Sequence, residues 1–82
     1  MMQGKGWTIT KSYIGGICRE APTKKQVIPF TLYDDDGNLY FYGLMTEKLY
    51  DSHRIFDPLD ANMDDYGCTT MKVKTKNGWE TI

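Results

Sequence analysis

Histidine occurs once and cysteine twice in the 82 residues. Cys18 and Cys68 do not form a Cys-x-x-Cys pair, and together with His53 they fall one donor short of a four-ligand zinc site. No metal and no cofactor is therefore expected. Long apolar runs are also missing: no window approaches the ~20 apolar residues of a membrane-spanning helix. Met1 to Gly6 contain no apolar leader core, so the cytoplasm is the expected compartment and both thiols are expected to be reduced. A phosphate-binding glycine loop is absent, because Gly15-Gly16 is not followed by Lys-Ser/Thr and a helix. Neither sign of charge dominates. Ten basic residues meet eleven acids for a net charge of −1, so no global field draws the chain to nucleic acid or to an anionic membrane.

Bulk comes from the rings. Six tyrosines, three phenylalanines and two tryptophans are present, and each can bury roughly 150–250 Å². A single domain, residues 1–82, is expected; its core is thin, since a chain this short hides only about 60–65% of its unfolded surface. The charges are uneven along the chain. Residues 1–30 hold five cations against Glu20, residues 31–68 hold nine acids against Lys48 and Arg54, and the end carries Lys72, Lys74 and Lys76 against Glu80. Such blocks fold either into a self-neutralising surface, which is the expectation here, or into a two-faced one.

Trp7 to Ile14, rich in β-branched and aromatic residues, predicts a first strand, broken by Gly15-Gly16. A loop follows over 17–26. Val27 to Tyr33 and Leu39 to Met45 predict a hairpin, because Asp34-Asp35-Asp36-Gly37-Asn38 supplies the turn chemistry. Two registers compete. A two-residue turn pairs Tyr33 with Tyr40 and Leu32 with Phe41; a three-residue turn pairs Tyr33 with Leu39 and Leu32 with Tyr40. The first is preferred, since it gathers Ile28, Phe30, Leu32 and Phe41 on one face and Tyr33, Tyr40, Tyr42 and Leu44 on the other. Residues 46–56 read as irregular. Asp57 as N-cap, Pro58 at the first helical position and Gly67 as a left-handed cap frame one short helix, with Leu59, Met63 and Tyr66 as its apolar stripe. Cys68 should then turn inward as an inert thiol. Thr69 to Thr75 alternates, and Lys76-Asn77-Gly78 leads into Trp79 to Ile82; a bulged-glycine turn would set Thr75 opposite Trp79 and bury the indole. Both tryptophans are expected in the core. The fold class is α+β: a mostly antiparallel sheet of about five strands, order β-β-β-α-β-β, with one short helix on one face.

Catalytic patterns are weak. Aligning Gly37 with the sixth position of an EF-hand loop puts Leu32 at its first position and Gly43 at its twelfth, where acids are required. Nothing in the sequence places His53 beside Cys18 or Cys68, as a thiol–imidazole pair would need. The chain is not expected to be an enzyme.

Several short patterns are shared with other sequences: Trp7 to Thr10, Asp34 to Gly43, Phe56 to Asp60, Gly67 to Thr69, and Gly78 to Ile82. On these residues the chain resembles a group of small uncharacterised bacterial, plasmid and phage proteins. The resemblance implies a small protein of mobile elements and carries no activity or site residues with it.

The first functional expectation is a non-enzymatic module that binds a protein, for instance a phage or plasmid factor acting on a host protein. Its contact residues would be Tyr33, Tyr40, Tyr42 and Leu44, provided that Leu49, Tyr50, Ile55 and Phe56 do not fold over them. The alternative is nucleic-acid binding through Lys72, Lys74 and Lys76, against which the net charge weighs. A homo-oligomer is also allowed; a membrane partner is not expected.

Overall fold

The computed structural model describes residues 6–14 and 21–82; the glycine pair 15–16 and Cys18 lie outside the described residues. Five strands, β1 (Trp7–Ser12), β2 (Gln26–Asp34), β3 (Leu39–Thr46), β4 (Cys68–Thr75) and β5 (Gly78–Thr81), form one sheet in the order β1-β3-β2-β4-β5. Every neighbouring pair is antiparallel. Between β3 and β4 the chain forms two helices, α1 (Glu47–Tyr50) and α2 (Asp57–Tyr66). The α+β class and the antiparallel sheet are as the sequence implies, with one helical turn more.

That extra turn lies in the stretch expected to be irregular. Thr46 caps it: its Oγ1 accepts from the Leu49 N–H at 3.0 Å. Leu49 is thereby fixed pointing into the core. The start of α2 also differs. Phe56 is the N-cap and makes no side-chain cap bond, so Asp57 is the first helical residue. Its carboxylate is engaged by the Arg54 guanidinium at 3.0 Å instead. At the other end Gly67 takes φ +74°, and its N–H bonds back to the carbonyls of Asn62 and Met63, the expected left-handed stop.

The core lies on one face of the sheet. Phe30, Leu32, Phe41, Met45, Met71 and Val73 are fully buried there, closed by Leu59 of α2 and Leu49 of α1. Tyr50 and Ile55 pack against the same cluster. Gly43 is part of this arrangement. It pairs with Phe30 on one side and Ile9 on the other. A Cβ there would run into the Thr8 carbonyl oxygen and come within 2.5 Å of the Phe30 ring. The large ring is seated where its cross-strand neighbour has no side chain.

The first hairpin keeps the preferred register except beside its turn, and the second departs from it. In β2–β3, Leu32 pairs with Phe41 as the first register has it, but Tyr33 pairs with Leu39 as the second has it. A bulge at Tyr40 reconciles the two. In β4–β5, Lys74 pairs with Trp79 and Thr75 with Gly78, not Thr75 with Trp79. Thr75 decides this turn: its Oγ1 accepts from the Asn77 N–H and donates to the Gly78 carbonyl, both at 3.1 Å. The slip of one residue moves Trp79 to the face away from the core, 44% exposed. The expectation that both tryptophans are buried fails at Trp79; Trp7, set edge-on to Phe30 at 6.4 Å, borders the core.

Candidate binding face

Strand register determines what the second face of the sheet carries. Cross-strand partners share a face, so Tyr42 pairs Lys11 with itself on β1 and Thr31 on β2. Thr31 in turn pairs with Lys72, Tyr33 with Thr70, and Lys74 with Trp79. Leu44 lies between Thr8 and Pro29. No described helix covers this face, because α1 and α2 both pack on the core side. Leu49, Tyr50 and Ile55, which could have folded over the tyrosines, belong to the core side as well.

Tyr33, Tyr42 and Leu44 are thus brought together, each half-buried. Tyr40 is not. Its bulge turns it toward the core, where it packs edge-on to Phe41 at 6.3 Å and donates to the Asp34 carboxylate. Lys72 and Lys74 join the tyrosines, whereas Lys76 sits exposed in the β4–β5 turn. The two groups of residues singled out in the sequence, aromatic and basic, therefore form one surface. Trp79 completes it and was missed, because the expected register put it on the other face.

The rings on this surface touch each other and the lysines. Tyr42 and Trp79 meet at 6.4 Å with their planes 64° apart, although their strands are separated by β2 and β4. Thr31 lies between those strands and is only 5% exposed; its Oγ1 has no hydrogen-bond partner among the described residues. The Lys72 ammonium stands 5.0 Å from the Tyr33 ring centre, and that of Lys74 stands 5.9 Å from the ring of Trp79. Acids are placed elsewhere. Glu80 pairs with Val73 on the core side, Asp34 is buried in its own hairpin, and Glu47, Asp57, Asp60 and Asp64 belong to the helical layer. Among the described strand positions of the open face the charged residues are Lys11, Lys72 and Lys74. Among the described residues, the charges of this face are thus of one sign.

Other candidates lead back to architecture. Asp34, Asp35 and Asp36 cluster, but Asp34 accepts from the N–H groups of Asp36 and Asn38 and from the Asn38 amide at 2.8–3.1 Å. The Asn38 bonds and their neighbours hold its carboxyl below the usual value, and the shared hydrogen bond raises the Tyr40 phenol. Cys68, paired with Asp34 and fully buried, has its thiol pushed up to about 11, first by burial and then by the Asp34 charge. A thiolate nucleophile needs the opposite environment. His53 is exposed in the turn between α1 and α2. A groove of about 480 Å³ runs between Tyr50 of α1 and the β4–β5 turn, with Ile28 as its apolar floor. No helix among the described residues is long and apolar enough to cross a membrane.

No protein-family model matches the chain, nor does any curated protein or solved structure.

Proposed function

We propose that this protein acts by binding, not by catalysis, and that its contact surface is the face of the sheet that no described helix covers. One observation carries the reading. That face presents Tyr33, Tyr42, Trp79 and Leu44 beside Lys11, Lys72 and Lys74, while the described acids lie off it, in the helical layer, in the turns and, for Glu80, on the core side of β5. Exposed aromatic groups of this kind are typical of contact surfaces, and the lysines give the surface a sign. The inert environment of Cys68 and the exposed turn position of His53 support a non-enzymatic reading. A partner for this face must be anionic and must offer flat or apolar groups. A protein partner, the first expectation from the sequence, would have to bring an acidic segment.

Heparin, an anionic polymer without bases, tests the electrostatic half of the proposal. The parent protein should be retained on immobilised heparin at low salt despite its net charge of −1. Lys72→Glu/Lys74→Glu should abolish retention. Lys24→Glu/Lys25→Glu, the same charge change on an exposed loop outside the sheet, should leave it largely intact. No retention of the parent, or equal loss in both variants, would contradict the proposal.

A further inference from the structure

Rings and lysines are coupled on and beside the open face. Tyr33 lies under Lys72, Trp79 is the cross-strand partner of Lys74 and lies near its ammonium, and Lys11, the cross-strand partner of Tyr42, sets its ammonium 5.3 Å from the ring centre of Tyr13. A binding surface that repeats a ring beside a cation matches a polymer that repeats a flat group beside an anion. From these couples we infer that the occupant of the face is a single-stranded nucleic acid, with bases stacked on Tyr33, Tyr42 and Trp79 and phosphates at Lys11, Lys72 and Lys74. This deepens the binding-face proposal and rests on it.

Three features support this occupant. The couples are spread over the sheet rather than clustered. Lys72 and Lys74 are two residues apart on β4, roughly 6.6 Å, while Lys11 on β1 lies three strand spacings from β4, roughly 14 Å. A chain crossing the sheet therefore meets cations on β1 and β4, the rings of Tyr42 and Tyr33 on the strands between them, and Trp79 next to β4 on β5. Second, one ring is open to solvent. Trp79 is 44% exposed, and its edge-on contact with Tyr42 leaves ring surface free for stacking. Third, no described helix lies on the face, so it offers none to a major groove, and paired bases would hide the flat surfaces that the rings need. An acidic peptide would satisfy the lysines alone. A nucleotide supplies both halves of each couple in one repeating unit, and base stacking of this kind is tolerant of sequence.

The test uses fluorescence anisotropy with a labelled oligothymidylate, a backbone of the same length lacking bases, and a duplex of the same length. The single strand should bind at low salt and weaken as salt rises. The logarithmic slope should be roughly −2, as expected for about three phosphates. The base-free strand and the duplex should bind more weakly. Trp79→Ala should lower affinity for oligothymidylate about tenfold and leave the base-free strand nearly unaffected. Trp79→Tyr, which keeps a ring, should restore most of the loss and guards against a folding effect. Lys72→Gln/Lys74→Gln should reduce the salt slope to roughly −0.7. The inference is overturned if oligothymidylate does not bind at low salt, if the base-free strand or the duplex binds as well, or if Trp79→Ala weakens all three probes alike. Retention on heparin with any of those outcomes would leave the binding-face proposal standing and remove nucleic acid from it. A concentration-dependent dimer that occludes Trp79 and excludes oligothymidylate would replace the nucleic acid with a second copy of the chain, and so also overturn it.

Discussion

At the scale of single residues, the structure depends on positions where one atom decides the packing. Gly43 is the clearest. Phe30 occupies the space above it, and a methyl group there collides with both the Thr8 carbonyl oxygen and that ring. Gly43→Ala is expected to cost at least about 2–3 kcal/mol, checked by urea or thermal unfolding, because the conflict involves backbone as well as a buried ring. The Asp34–Tyr40–Cys68 corner makes stability depend on pH in a definite sense. Asp34 titrates lower in the folded chain than its ordinary 3.8, so its contribution is present above that value and is lost as pH falls through it toward the folded pKa. Cys68 is raised from 9.0 to about 11, so the fold favours its protonated form. That contribution is intact below 9 and is lost as pH climbs from there toward 11; Tyr40, raised above 10.0, adds to the same alkaline decline. Denaturation midpoints between pH 7 and 10.5 should fall, and fall less steeply in Cys68→Ala. The inward turn of Cys68 and the positive φ of Gly67 were legible in the sequence, since both follow from how a short helix must stop. The special role of Gly43 was not, because it depends on which residue lies opposite.

Elements were legible in proportion to how local their causes are. Strand positions, the acidic turn and the Pro-to-Gly limits of α2 follow from neighbouring residues, and they are found within a residue or two of expectation. Register follows from turn geometry and is unforgiving, since one residue exchanges the faces. The first hairpin keeps the expected pairing from Ile28 to Leu32 and departs from it only at the turn, whereas the second slips by one residue, for a different reason. The Asp34 carboxylate accepts one hydrogen bond from Asp36 and two from Asn38, and the turn they build carries the bulge that turns Tyr40 inward. Thr75 does the corresponding work in the second, and Trp79 moves outward. The two tryptophans should therefore differ sharply. Trp7→Ala should cost about 2–3 kcal/mol, as it borders the core, whereas Trp79→Ala should cost under about 1 kcal/mol. Unfolding curves of the two variants check this. Equal, large losses would restore the bulged-glycine register and bury Trp79.

For the molecule as a whole, what matters is the separation of layers. Acids that balance the bases in number are kept off the open face by the topology, most of the described ones in helices and turns, and lysines among rings are left on it. The net charge of −1 conceals this, which is why the basic strand alone gave a weak signal in the sequence. The candidate site was half legible: Tyr33, Tyr42, Leu44, Lys72 and Lys74 were identified as two separate groups, and their union with Trp79 required the register. The central claim is that the open sheet face is the contact surface. The indole N–H resonances of the two tryptophans test it most directly, in a titration of ¹⁵N-labelled protein with oligothymidylate at low salt. Trp79 should shift, together with the amides of Tyr33, Tyr42, Lys72 and Lys74, while Trp7 and the α2 amides of Leu59 and Asn62 stay in place. Shifts confined to α2 and Trp7, or none at saturating oligonucleotide, would contradict the account.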